Sequence, residues 1–403
     1  MDQLRVGLVG CGKVAAFHTY ALERLAERAV LRAVFDIDCS RARQFAAMHG
    51  AIAFEDLDAM ANSGLDAAIV CTPPMAHHSG ALPFLRRGIS AFVEKPFAST
   101  LAQADAMLQA SRMTGAALGV CCQRRWLPPM QRIYRAIEEG KLGKLILCNA
   151  TINGYRNAAY YEMDGGWRGR LATEGGALLV NQAPHHTDLM VSLMGAIRSV
   201  SATVANLTHP EIDGDDNVLA TVRFRSGAIG SVRYSNSQKP GFFAGIEITD
   251  ENGITVAVKT DGVMFVAGAA GSAGVASMIE PPSITHWSGA SALAAWNAED
   301  AAIFNAFEDP TKQFHVFALA DFLEAIYTGR PPRIDGEAGR RTVEFNTACY
   351  LSSAAGMTPV KLPLAAQPES PTFEGRTRIC RLEPAYSPMI PEQPRSGAAT
   401  TES

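Results

Sequence analysis

The sequence predicts an α/β protein: an N-terminal Rossmann doubly wound parallel sheet, then a C-terminal α/β domain with a large, mainly antiparallel open sheet. Short apolar runs alternate with helix-length stretches over the first 120 residues. A Gly10-Cys11-Gly12-Lys13-Val14-Ala15 turn joins the first of these runs to the first helix. After about residue 122 the style changes to strand-like runs separated by two-residue turn signals.

In order, residues 4–9 read as a strand and residues 15–27 as a helix with Phe17, Ala21, Leu22 and Leu25 on one face. A strand over 31–35 ends at Asp36, and a helix follows over 40–48. Further elements are expected at 67–70, 82–88, 91–93, 101–113 and 116–120, the alternation of right-handed βαβ units. In the second half, strands are expected at 203–205, 217–224, 228–234, 243–249 and 254–258, with Asp213-Gly214, Ser226-Gly227 and Asn252-Gly253 as turns. Residues 315–328 carry apolar side chains at 316, 319, 320, 323, 326 and 327, a helical period closed by Gly329. The domains are therefore read as 1–122, 123–365 and a tail over 366–403, where six prolines from Gln367 onward argue against a core.

Composition narrows the function classes. The 403 residues are 47% hydrophobic and 19% charged, enough for two or three well-buried domains. A net charge of −4 without a Lys/Arg cluster argues against nucleic-acid and anionic-membrane partners. The uncharged run 262–279 reaches the length of a membrane span, but four glycines and two serines make it a loop or interface segment. Eight cysteines without a C-x-x-C pair, and an N-terminus unlike a signal peptide, point to a reducing cytoplasmic compartment. No His/Asp/Glu group has ligand spacing, so no metal is expected.

The glycine turn carries the first functional reading. Gly10 permits the tight bend, Gly12 lets backbone approach a pyrophosphate, and small Ala15 allows helix and strand to pack closely. The helix start then offers free N–H groups to phosphate. Asp36, 21 positions after Ala15 at the end of the second strand, is placed to hold a ribose 2′-hydroxyl and to repel a 2′-phosphate. NAD is thus preferred over NADP, with Arg41 and Arg43 the residues that speak for NADP.

Two later segments bear on chemistry: Glu94-Lys95-Pro96, leaving a buried-looking strand, and Glu174-Gly175-Gly176 running on to Asn181, Pro184, His185, His186 and Asp188. Together with the glycine turn, Asp36, Thr72-Pro73-Pro74 with His77, and the closing Gly329-Arg330-Pro331-Pro332 and Asp335-Gly336-Glu337 stretches, they make the chain resemble the glucose-fructose oxidoreductase / inositol dehydrogenase / rhizopine-catabolism (Gfo/Idh/MocA) family over residues 1 to about 365. The resemblance implies an NAD(P)-dependent dehydrogenase acting on a secondary hydroxyl of a sugar, sugar acid, inositol or related polyol. It also implies a cis Lys95–Pro96 bond. Gly10, Gly12, Lys13, Val14, Asp36, Thr72, Pro73, His77, Glu94, Lys95 and Gln123 then surround the cofactor, with His77 near the nicotinamide ribose. Lys95, Arg125, Trp167, Arg168, Asn181 and His185 surround the substrate.

Hydride loss from a secondary alcohol carbon requires a base for the hydroxyl proton, and burial beside a positive ring would lower the pKa of Lys95 enough to serve. Asn181 and His185, four apart, would share one helix face, so that His185 relays the proton and Asn181 orients it. Members resembling this chain most often carry Asp at position 181. Neutral Asn cannot stabilise an imidazolium by charge, which shifts the proton load to Lys95. Pro184 inside such a helix would remove a backbone bond and bend it. Trp167 and Arg168 suit a hydroxylated ring by stacking and hydrogen bonding. Tyr155, Arg156, Tyr160 and Tyr161 form a polar-aromatic stretch near them in sequence.

Catalytic roles therefore fall to Lys95, His185 and Asn181. An aromatic cis-dihydrodiol dehydrogenase, calling on Arg125 or Arg168 for a ring carboxylate, is the first alternative; a non-catalytic dinucleotide-sensing regulator is the second. The open sheet face leads to an expected homodimer or homotetramer.

Overall fold

The computed structural model describes residues 2–239, 242–265, 277–306 and 310–364; the 366–403 tail and the centre of the uncharged 262–279 run lie outside the described residues. The first sheet is built from β1 (Leu4–Val9), β2 (Ala29–Phe35), β3 (Ile52–Phe54), β4 (Ala67–Val70), β5 (Ser90–Glu94) and β6 (Leu118–Cys121). All are parallel in the order β3-β2-β1-β4-β5-β6, and they alternate with α1 (Ala15–Arg24), α2 (Cys39–His49), α3 (Leu57–Ala61), α4 (His77–Leu85) and α5 (Leu101–Thr114). β4 and β5 are buried at every position, as central parallel strands are. The three-residue β3 and five-residue α3 are too short to leave a periodic signal. Asp38 and Asp56 start α2 and α3 by accepting backbone N–H bonds.

The second half comprises α6 (Pro128–Glu138), β7 (Leu145–Asn153), α7 (Ala158–Gly166), α8 (Pro184–Met194), β8 (Ile197–Ala205), β9 (Asn217–Phe224), β10 (Ile229–Ser235), β11 (Phe242–Asp250), β12 (Thr255–Phe265), β13 (Ser277–Glu280), β14 (Ser283–Trp287), α9 (Leu293–Asn305), α10 (Pro310–Thr328), α11 (Gly336–Ala354) and β15 (Val360–Lys361). Its sheet runs β13-β12-β11-β7-β10-β9-β8-β15, with β14 also on β12. Among the described strands only the β10–β7 pair is parallel.

Central β7 was not read from the sequence because its inward side chains are Cys148, Ala150 and Ile152, two of them small, which blurs the alternation. The described ends of the uncharged run pair as antiparallel β12 and β13, and no described helix is long and apolar enough to cross a membrane. His286 and Trp287 fall on β14, where Trp287 packs edge-on against Trp296.

The last helices return to the first sheet. Ala318, Leu319, Phe322 and Leu323 of α10 join the core on one face, and Ala338 and Val343 of α11, with Ile334 just before it, join the core on the other. Val120 N–H donates to the Ile334 carbonyl at 2.9 Å, which occupies the outer edge of β6.

Candidate active site

Strand order reverses at β1, and the carboxyl end of such a switch point is where open parallel α/β sheets bind ligands. Gly10 leaves β1 with φ +96°, and a Cβ there would stand 2.9 Å from both Cys71 O and Thr72 N, so only glycine fits. At Gly12 a Cβ would meet nothing within 4 Å; the bare backbone is open to an incoming phosphate rather than packed. Lys13 and Val14 are exposed beside it, and the first N–H groups of α1 have no side-chain cap.

Asp36 does more than wait for a ribose. Its carboxylate accepts from Cys11 N at 2.8 Å and Asp38 N at 2.9 Å, which ties the glycine turn to the end of β2. Arg41 lies 3.3 Å from Asp36 and from Asp38, and Arg43 is paired with Glu55. Both arginines that spoke for NADP are thus already engaged by carboxylates.

The ends of β4, β5 and β6 form the other wall. Thr72 leaves its buried Oγ1 without a protein partner, as Gln123 does Oε1, Arg124 Nε and His185 Nδ1; such polar atoms suit a polar ligand. Exposed Pro73 follows Thr72. His77 does not face the crevice. It is 1% exposed, its two ring nitrogens lie 2.8 Å from the carbonyls of Thr72 and Pro96, and it splices the two loops together.

Glu94 is likewise turned inward, bonded to His18 Nε2 at 2.9 Å, with His315 3.7 Å away. Burial alone would raise its pKa, but the two histidines hold it well below the usual carboxylate range. Three ligand-type atoms of His18, Glu94 and Cys121 lie within 4.8 Å of one another. The 2.9 Å contact is a direct hydrogen bond, closer than the roughly 3.3 Å between two ligands of one tetrahedral ion.

Lys95 follows Glu94 through a cis bond to Pro96, as the resemblance implied. Its half-buried amine donates to the Asn181 carbonyl at 3.1 Å. Burial lowers its pKa from the ordinary lysine value, while Glu94 and Glu174 oppose that shift and Arg124 adds to it.

The Gly-Gly segment departs from the simple helix expected. Leu178–Gln182 forms a widened π-type turn, in which Ala183 N–H reaches back to Leu178 O at 2.9 Å, and α8 begins only at Pro184. Pro184 is therefore the first residue of a helix, where its missing N–H costs nothing, and not an interior kink. Asn181 does not orient His185: its amide donates to Glu174, and its carbonyl holds Lys95. His185 is buried and pushed well below the ordinary histidine value by burial, Arg124 and Lys95, so it is a neutral imidazole at neutral pH. His186 bonds Thr260 Oγ1 at 2.8 Å, and burial and Arg124 bring its pKa down to about 3.

Arg125 also differs from expectation. Its guanidinium grips Asp188 of α8 at 2.7 and 2.6 Å, and Asp188 is 1% exposed, so the pair pins the β6 loop to α8 and takes up the Nε/Nη2 edge of the arginine. Arg124, one residue earlier, exerts the charge felt by Lys95 and His185 and pairs with Asp261 at 2.6 Å. Trp167 and Arg168 are half-buried and stacked on each other at 4.5 Å, with Tyr160 5.4 Å from Arg168.

Two residues had no role in the sequence reading. Glu174 is 1% exposed, accepts from Gly169 N at 2.6 Å and from Asn181, and has its pKa raised by burial to about 8. Its only signal was a lone acid heading an uncharged run. Asp215, just after the Asp213-Gly214 turn, accepts from Ala177 N, Leu179 N and Tyr350 Oη and thereby holds the turn that carries Asn181.

An open glycine turn after β1, a carboxylate at the end of β2 and a half-buried amine after β5 are features that an NAD-binding oxidoreductase requires. Residues 4–121 match the family model described as "Oxidoreductase family, NAD-binding Rossmann fold" and residues 130–256 the "GFO/IDH/MocA C-terminal domain". The chain belongs to this Gfo/Idh/MocA family. It is 27% identical over 272 residues to scyllo-inositol 2-dehydrogenase (NAD+) of Bacillus subtilis, covering 66% of this chain and 74% of that protein. It is 25% identical over 364 residues to D-apiose dehydrogenase of Paraburkholderia graminis, covering 89% and 90%. The WlbA dehydrogenase of Bordetella pertussis, solved with NADH and UDP-GlcNAcA, superposes with a TM-score of 0.77 at 26% identity, covering 90% of this chain and 99% of that one.

Proposed function

We propose that the protein oxidises a secondary hydroxyl of a sugar, sugar acid, inositol or related polyol, with NAD as hydride acceptor and Lys95 as the group that takes the hydroxyl proton. The observation that carries this reading is the Lys95 amine at the end of β5, half-buried, held by the Asn181 carbonyl and lowered in pKa. NAD, when bound, would supply the electrophilic ring carbon that accepts the hydride. His185, kept neutral, donates or accepts a hydrogen bond at the reacting oxygen without carrying charge into the step. Arg168 and Trp167 offer a stacked polar wall for hydroxyl groups. Relatives named as inositol and apiose dehydrogenases support the substrate class.

The dihydrodiol reading rests on Arg168 for a ring carboxylate, because Arg125 is already bound by Asp188. The sensor reading needs neither Lys95 at the end of β5 nor His185 at the start of α8. The open face of the second sheet presents Leu219 and Ile229, which supports self-association through it. The unpaired state of the seven described cysteines fits a reducing compartment.

The test is NADH absorbance with purified protein, NAD or NADP, and a panel of inositols, aldoses, sugar acids and dihydrodiols. Reduction of NAD by a polyol class is the expected result. Silence across the panel, with NAD raising the melting temperature, would favour the sensor.

A further inference from the structure

We propose that Glu174 is a positioning residue for Lys95: its buried carboxyl locks Asn181 so that the Asn181 carbonyl receives the lysine amine, and its charge state is coupled to that of Lys95. The inference deepens the functional reading above and rests on it for the role of Lys95, though not for the coupling itself.

The geometry forms a continuous chain. Gly169 N–H donates to one carboxyl oxygen of Glu174 at 2.6 Å, the Asn181 amide donates to the other, and Lys95 Nζ donates to Asn181 O at 3.1 Å. Asn181 lies in the π-type turn with its N–H bonded to the Ala177 carbonyl at 2.8 Å; its own carbonyl is met by the Lys95 amine, and the grip of its side chain on Glu174 helps fix the direction of that carbonyl. At 1% exposure Glu174 cannot reach substrate and acts only through these contacts.

The charges around the pair come from every neighbouring element. Lys95 faces Glu94 at the end of β5, Cys122 and Arg124 after β6, and Glu174; Lys95 and Arg124 both bear on His185 of α8. Glu174 faces Lys95, Arg168 and, on α7, Tyr160. Burial raises Glu174 and lowers Lys95, which brings closer together two groups that normally titrate far apart. When Glu174 ionises it favours the ammonium form of Lys95, and when it is protonated that support is withdrawn.

The test uses the full chain with Glu174→Gln, which keeps the shape and removes the titration. Acetic anhydride labels neutral amines only, so labelling across pH 7–10, read at Lys95 by peptide mass spectrometry, gives its midpoint without any substrate. The variant should label at least about threefold faster than wild type near pH 9, a midpoint lower by roughly half a unit. Equal labelling of the two folded proteins overturns the proposal.

Should the variant fail to fold, Lys95→Met supplies the reciprocal reading. With the cation gone, the Glu174 carboxyl, followed by carbon-13 NMR of labelled glutamate, should protonate at higher pH than in wild type; an unmoved carboxyl again overturns the coupling. With an active polyol from the panel, Glu174→Gln should also move the acid limb of kcat/KM to lower pH by the same amount as the labelling midpoint. A labelling shift without activity on any polyol leaves the coupling standing and removes the proposed reaction.

Discussion

Arg125 offers the sharpest separation between a structural and a substrate role. Its Nε and Nη2 meet both oxygens of Asp188 at 2.7 and 2.6 Å, and Asp188 is 1% exposed. Burial works against the guanidinium charge, and Asp188 overcomes it, raising the arginine's pKa above its ordinary value. Arg125→Met keeps most of the volume and strands a carboxylate with no cation inside the protein. Breaking such a pair from one side costs about 3–5 kcal/mol, because the remaining charge is uncompensated. At about 2–4 °C per kcal/mol for a domain of this size, the melting temperature should fall by roughly 6–20 °C.

Calorimetry on Arg125→Met and on Arg125→Met/Asp188→Leu reads this directly. The double variant should recover most of the loss, since two apolar side chains replace a closed pair at little net cost. A melting point within about 2 °C of wild type, with KM for the active polyol raised tenfold or more, would refute the tether and restore Arg125 to the substrate.

Three further outcomes follow from the same geometry. Lys95→Ala should cut turnover by roughly 10²-fold or more while NAD binding, followed by calorimetric titration, stays near wild type; turnover like wild type removes Lys95 from the mechanism. Asp36→Ala should weaken NAD and shift the NAD/NADP preference in kcat/KM towards NADP, because it removes the carboxylate proposed to meet the ribose and leaves Arg41 paired with Asp38 alone; an unchanged ratio counts against the cofactor reading. Burial would raise Asp216, but its bonds to His209, Leu207 N and Thr208 N bring its pKa down to about 2. Its folded value lies below the unfolded one, so its contribution to stability is full above about pH 4 and lost as pH falls towards 2. Asp216→Asn should flatten that part of the stability profile in urea titrations; an unaltered acid limb contradicts the assignment.

The cofactor half was legible because its information is local. Gly10, Gly12 and Ala15 act within one turn, and Asp36 closes the next strand, so spacing alone places them. The second half was legible only in outline. Lys95 stood out through its motif, but the partners of Asn181 and Arg125, which are Glu174 and Asp188, are set by how loop and helix pack together, and no motif records that. The π-type turn was hidden for a related reason: one residue beyond a regular helical repeat looks, in sequence, like an ordinary helix. His77 and Glu94 sit in the right loops, yet their side chains brace the wall from behind. The sequence showed where those chains were anchored but not which way they turned.

The return of α10 and α11 to the first sheet has a consequence for how the chain is made. The apolar faces that those helices cover are complete once about residue 121 has been synthesised, but their cover is encoded after residue 310. At 5–20 residues per second the ribosome takes roughly 10–40 s to supply it. Throughout that interval the nascent nucleotide-binding half is a layered sandwich short of its outer slices, and it depends on holding factors or a loose, reversible collapse to avoid sticking to its neighbours. Severing the chain between the two halves would not release a finished unit. It would fix the protein at the most vulnerable moment of its synthesis.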